Sequence, residues 1–413
     1  MIHDCAKVYC RDPPAGRFAI PSDVPASRAN LALAALCVTQ IVSWGGIYYA
    51  ISVLMVPMQA DLGWSRDALV AGYSVALLAW GLSAYPVGRL IDAFGGRGVM
   101  TAGSVLGTVA LAMLGDVQTH AAYYAAWVLA GVAMGMTLYE AAFTVLAHAF
   151  GAGARRAITA LTLAGGFAST LFWPLSQFLL EAWGWRGAWF ALAAAQAVVC
   201  VPLHAFALPR VKRPARRPAD DAAPPRDRAW LRSWRFWMLA VAFVCSMFAT
   251  ASVSVHLIAL LGERGLSARE AVFVAALIGP MQFVGRFMEF AFGRRVGTTT
   301  LGRITVLLMP AGLLVYALAG TSIPLLVAFA VVYGTGFGLI TIVRAMTPAE
   351  LFGREEYGAL NGAMSAPAMA ARAAGPLALS VAVSAWGGGA ATAVLLATIS
   401  GCAVAYWVAV AGK

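Results

Sequence analysis

The 413-residue sequence predicts an all-α membrane protein of twelve transmembrane helices in two pseudo-symmetric six-helix bundles. Three observations lead there: a composition too apolar for water, a series of membrane-length apolar runs, and motifs that recur in the two halves of the chain. Hydrophobic residues make up 61% and charged residues 11%, against roughly 25% charged in an average soluble domain. The mean hydropathy is +0.78. The 42 Gly and 13 Trp fit helices that approach closely and anchor at bilayer interfaces. A large water-soluble catalytic domain is excluded.

The elements follow from punctuation by Gly, Pro and charge. Residues 1–30 form a polar, Pro-rich tail. The apolar run that follows is too long for a secretory signal and is expected to be retained as the first span. A bilayer-crossing helix takes about 20 mainly apolar residues. The first bundle, 31–208, holds candidate spans at 31–57, 68–87, 99–114, 122–150, 157–180 and 187–208. The second, 236–413, holds 236–261, 271–292, 301–319, 324–347, 360–386 and 390–411.

Between them runs a Pro- and Arg-rich linker, 209–235, with nine Lys or Arg and three Asp. Positive charge is retained on the cytoplasmic side, which is expected to hold the linker and both termini of a protein in the inner (cytoplasmic) membrane. With that orientation 22 Lys and Arg lie inside and four outside, at Arg66, Arg186, Arg264 and Arg269. The net charge of +11 is therefore read as topology, and no nucleic-acid partner is expected. The six cysteines form no CxxC pair or His cluster at metal spacing, so neither a disulfide framework nor a metal site is implied. No cofactor is implied, and the protein is expected to be monomeric in the lipid bilayer.

The halves repeat at an offset of 202 or 203. Gly131 and Gly135 match Gly334 and Gly338, Phe150-Gly151 matches Phe352-Gly353, and Pro174-Leu175 matches Pro376-Leu377. GRLIDAFGGR from Gly88 is echoed by GRFMEFAFGRR from Gly285. Transporters are commonly built from such repeats, with the binding site between them near the midplane. Gly-x-x-x-Gly also permits near backbone contact between helices.

Gly88, Asp92, Gly95 and Arg97 lie in the loop after the second span. They resemble the G-x-x-x-D-x-x-G-x-R motif of the major facilitator superfamily, a likeness that extends over nearly the whole chain. The resemblance implies that fold, no enzymatic activity, and a gating role for Asp92 and Arg97. A polar turn obeying the positive-inside rule is the alternative. GIYYAISVLMVPMQADLGWSR in the first span is similar, at Gly46, Tyr49, Ser52, Gly63, Trp64 and Ser65, to the oxalate/formate antiporter and monocarboxylate porter group. The Gly-Pro motif of drug exporters is not reproduced by LTLAGGFASTLFWPL in the fifth span.

Five ionisable residues lie inside apolar runs: Glu140, Arg286, Glu289, Arg344 and Arg372. Each costs about 2.5 to 3.5 kcal/mol on insertion scales, so each is expected to be paired, hydrated or functional. Three Arg against two Glu favour an anion. Arg286 stands roughly 9 Å from the inner end of the eighth helix, with Gln282 and Glu289 on the same face. Arg372 stands roughly 18 Å into the eleventh, near the midplane. The porter resemblance implies that both bind a substrate carboxylate, for which a guanidinium fork is suited. A structural Arg286–Glu289 pair and a structural role for Arg372 are the alternatives.

Tyr49 and Ser52 share a face and can enclose the carboxylate, or pack. Glu140 and Glu289 are candidates for charge balance or proton coupling. The porters' acidic residue one turn before the eighth-helix Arg is replaced here by Gln282. Arg344 is expected to snorkel to the cytoplasm, and His256 and His148 to be interfacial or packing residues, with a proton relay as the alternative. The reading is a secondary transporter that moves a small, monocarboxylate-like organic anion by alternating access, coupled to protons or by exchange. A drug exporter of the same superfamily is the alternative.

Overall fold

The computed structural model describes residues 25–151, 154–209, 229–292, 296–352 and 357–411. Most of the expected tail and linker, with Cys5 and Cys10, lies outside them. Every regular element among the described residues is helical. These are α1 (Ala26–Leu62), α2 (Arg66–Phe94), α3 (Gly96–Gly115), α4 (His120–Phe150), α5 (Ala154–Gly165), α6 (Ala168–Ala195), α7 (Trp234–Glu263), α8 (Ala268–Phe292), α9 (Thr298–Leu318), α10 (Ile323–Phe352) and α11 (Tyr357–Ala409).

Among the described residues, ten helical runs are long and apolar enough to cross a membrane. Two of them, Arg156–Ala207 and Ala363–Ala409, have 52 and 47 residues. At 1.5 Å per residue each is roughly 70–80 Å long, more than twice a hydrocarbon core of about 30 Å. Each bends sharply at one glycine, Gly184 (φ 68°, ψ 176°) and Gly387 (φ 81°, ψ 173°), and the first also has a turn at Gly166-Phe167, between α5 and α6. Only glycine takes such a positive φ freely. The two positive-φ glycines divide each run into two arms of membrane length. Both glycines end the tripeptide Ala-Trp-Gly, at 182–184 and 385–387, which extends the internal repeat. The preceding Trp183 and Trp386 are exposed, as suits indole at a bilayer interface.

Helix ends carry their own signals. Gly63 closes α1 in the left-handed conformation (φ 66°), and the Ser65 hydroxyl accepts from the Ala68 N–H at 3.2 Å to start α2. Ser267 and Glu270 form a reciprocal capping box at the start of α8.

The helices before residue 209 pack largely on one another, as do those after 229; the two sets meet along α2–α11, α6–α8 and α1–α7. Within each set the repeated glycines sit at a backbone crossing. A side chain at Gly131 or Gly135 meets Ala76 or Ser83 of α2; one at Gly334 or Gly338 meets Ile278 or Gln282 of α8. Large apolar side chains such as Leu82, Phe178, Val198 and Leu318 face outward. In water such a surface would be unfavourable, and in lipid it is matched.

Candidate functional site

The site begins with a local irregularity. Trp44–Tyr49 of α1, WGGIYY, winds as a π-helix, a form that accommodates an extra residue and recurs at functional sites. Phe172 of α6 lies against Gly45, where a Cβ would collide with its ring. The turn gathers Trp44, Tyr48 and Tyr49, with Trp44–Tyr48 and Tyr48–Tyr49 ring centroids 5.0 and 4.9 Å apart. Trp80 of α2 joins them, 5.5 Å from Trp44.

Arg372 of α11 enters this cage from the other helix set. Its guanidinium carbon is 4.0 Å from the Trp80 ring centroid, 5.1 Å from Tyr48 and 5.6 Å from Trp44. No ion pair reaches Arg372 among the described residues. A cation–π contact contributes about 0.5–2 kcal/mol, less than the insertion cost of the charge. The Trp80 indole N–H is itself buried without a partner among the described residues.

Arg286 of α8 is buried and also reaches across. Its Nη1 donates to the Thr162 carbonyl of α5 at 2.5 Å and its Nε to the Gly338 carbonyl of α10 at 3.4 Å. Gly165-Gly166 ends α5, where the Thr162 carbonyl accepts from the Gly166 N–H at 3.1 Å as well as from Arg286. The Tyr139 ring lies within electrostatic reach of Arg286. These carbonyls, rather than Glu289, are its nearest acceptors; Glu289 is half-buried farther along α8. Gln282 is buried one turn before, its backbone against Gly338.

Ser52 is occupied locally. Its hydroxyl donates to the Tyr49 carbonyl and accepts from the Trp173 indole, both at 2.7 Å, while the Tyr49 ring meets Trp173 edge-on at 5.3 Å. Glu140 is exposed, in the first turn after a break in α4 at Leu138 (φ −82°, ψ −162°). A carboxylate there is favoured by the helix N-terminus. Arg344 departs from the snorkelling expected of it. Its Nη1 lies 3.2 Å from the Met247 sulfur and its guanidinium faces the Phe243 ring, both on α7, within electrostatic reach of Arg372 and Glu140. Gly88 and Arg97 flank the α2–α3 junction at Gly95 (φ 80°); the side chain of Asp92 lies outside the described residues.

At the end farthest from the chain termini, polar links join the two helix sets. Arg66 of α2 pairs with Glu263 of α7, and its Nη2 lies 3.2 Å from His256 Nδ1. Asp67 accepts from Ser380 and Ser384 of α11 at 2.6 and 3.1 Å. Arg269 of α8 pairs with Glu181 of α6 at 2.8 Å. The interface is thus shut at its termini-distal end.

Residues 36–376 match the family model of the Major Facilitator Superfamily. The chain belongs to that superfamily. As a superfamily member it is a multi-pass membrane transporter rather than an enzyme. Mouse (Mus musculus) Monocarboxylate transporter 11 is 33% identical over 162 residues, 38% of this chain and 34% of that protein; the match therefore spans about a third of that relative. Among solved structures, a point mutant of the nucleoside transporter NupG superposes with a TM-score of 0.77 at 14% identity, covering 92% of this chain and 100% of that one. An inward-facing, occupied bacterial homologue of the human lysosomal transporter Spinster gives 0.70 at 14%, covering 93% and 97%. These structural likenesses show the superfamily fold.

The sequence reading did not single out Trp44, Tyr48, Trp80, Tyr139 or Thr162. Trp44 and Tyr48 at i, i+4 are a visible pair, but such aromatic spacing is common in membrane helices. Their partnership with Arg372 depends on a helix crossing that no local pattern encodes.

Proposed function

We propose that this transporter carries a small organic anion, monocarboxylate-like in chemistry, across the cytoplasmic membrane with both termini inside. Alternating access of the site comes from movement of the two helix sets, coupled to protons or run as exchange. The observation that carries the reading is Arg372: a cation between the helix sets whose neighbours are ring faces and an indole N–H with no acceptor. A carboxylate satisfies both donors at once.

Arg286 serves as the second anchor, reached through release of the Thr162 carbonyl, with Gln282 and Tyr49 completing the enclosure. Ser52 acts on substrate through the set of Tyr49. Glu140 and Glu289 supply charge balance or a coupling proton, and Gly88, Asp92, Gly95 and Arg97 form the gating turn. The partial likeness to a monocarboxylate transporter points the same way.

The test is uptake of labelled formate, lactate, pyruvate, oxalate and larger aromatic acids into proteoliposomes, with and without a pH gradient. At least one acid is carried by the wild type and none by Arg372→Ala. Full uptake by that variant rejects the site assignment.

A further inference from the structure

The termini-distal closure contains a histidine whose two ring nitrogens face chemically opposite partners. His256 Nε2 lies 2.8 Å from the Pro376 carbonyl oxygen of α11, and Nδ1 lies 3.2 Å from Arg66 Nη2 of α2. A carbonyl only accepts, so Nε2 bears the hydrogen; a guanidinium only donates, so Nδ1 offers its lone pair. Both bonds exist only for the neutral ring. A proton on Nδ1 removes the Arg66 bond and sets two cations face to face in a buried position.

We propose that His256 is a proton-binding site of the termini-distal gate: neutral, it holds α2 against α7 and α11, and protonated, it releases them.

The charged surroundings leave the ring as the element that changes. From α2 come Arg66 and Asp67; Asp67 is engaged by Ser380 and Ser384 of α11. From α7 comes Glu263, seven residues on, bonded to Arg66. The described part of α11 that contacts these groups offers hydroxyls and the Pro376 carbonyl. Asp61, at the end of α1, is held by Trp185 and Arg186 of α6. Glu263 is 42% exposed and Arg66 12%, so a proton from the termini-distal side has a polar route to the ring.

The same contact leads towards Arg372. Proline has no N–H, so Pro376 leaves the Arg372 carbonyl one turn earlier without its helical donor. His256 therefore grips α11 at the proline one turn after Arg372, the cation of the cage. The proposal draws on the transporter reading only for the word gate, and its test contains no substrate. Loss of the anion assignment would leave it standing, and the reverse also holds.

The experiment measures the gate directly. Spin labels on clickable non-natural residues at Gln118 and Thr321, exposed in termini-distal loops of the two helix sets, leave the native cysteines in place. Distances are recorded in lipid nanodiscs between about pH 8 and pH 5, the range over which histidine charges. In the wild type the ratio of long to short distances rises about tenfold on acidification, a change of about 1.4 kcal/mol. His256→Gln keeps one donor and one acceptor but cannot charge, and it stays closed throughout. Arg66→Gln is open at the alkaline end and widens no further. A wild type that does not widen, or an equal response in either variant, overturns the proposal. The Arg66→Gln comparison decides it even if His256→Gln does not fold.

Discussion

Arg372 and Trp80 come from opposite helix sets, and the guanidinium carbon of one stands 4.0 Å from the ring of the other. The contact is a seam: α11 and α2 slide or part only if this pair does. It also leaves both side chains with hydrogen-bond donors to give.

The first prediction separates those donors. Hydrogen bonds to charged groups are worth about 1.5–3 kcal/mol, so Arg372→Ala should weaken carboxylate binding on the order of 10- to 100-fold. Trp80→Phe keeps a ring under the guanidinium and removes only the N–H, and it should cost several-fold at most. Binding of the transported acid, followed by tryptophan fluorescence or calorimetry, gives both values. Equal losses in the two variants would contradict a charge-led site.

Arg286 ties the end of α5 to α8 and α10 as well as facing the interface. Arg286→Ala should therefore lower the thermal midpoint and abolish uptake together. Arg286→Lys, a point charge without the fork, should recover more of the stability than of the transport. Unfolding in detergent alongside proteoliposome flux tests the split.

Ser52→Ala leaves the buried Trp173 indole without its acceptor. An unsatisfied buried donor costs about 1–3 kcal/mol, so the variant should unfold earlier while its order of preference among substrates is kept. A changed preference with unchanged stability would place Ser52 in direct contact with cargo.

Gly131 and Gly334 occupy matching positions in the repeat and face backbone at α2 and α8. Overpacking of this kind costs about 1–3 kcal/mol. Gly131→Val and Gly334→Val should each lower the unfolding midpoint, by similar amounts. A neutral variant at either position would show that its crossing can open without loss.

Helix positions were readable from the sequence because bilayer thickness and punctuation determine them, and the same logic reached the glycine crossings. The breaks at Gly184 and Gly387 were readable as the gaps between expected spans. Arg372 stood out because a charge in an apolar run is costly wherever it points. Its aromatic surroundings did not, since they come from three stretches of chain joined only by folding. Arg344 was misjudged for a related reason: nearness to a helix end suggested escape to water, whereas Met247 and Phe243 of α7 offer the guanidinium a closer bed. His256 looked like packing because its partners, Arg66 and Pro376, are 190 and 120 residues away.

The π-helical stretch of α1 has an engineering corollary. One surplus residue is wound into Trp44–Tyr49, and the looser i→i+5 winding absorbs the roughly 100° that a residue adds to an α-helix, so excising a single residue there would let an ordinary α-helix re-form with everything beyond it in nearly its present register. Ser52 would stay within reach of Trp173, and Met55 and Met58 would keep facing the interior. Deletion scanning, residue by residue, would then find the first transmembrane segment most tolerant where its spiral is loosest.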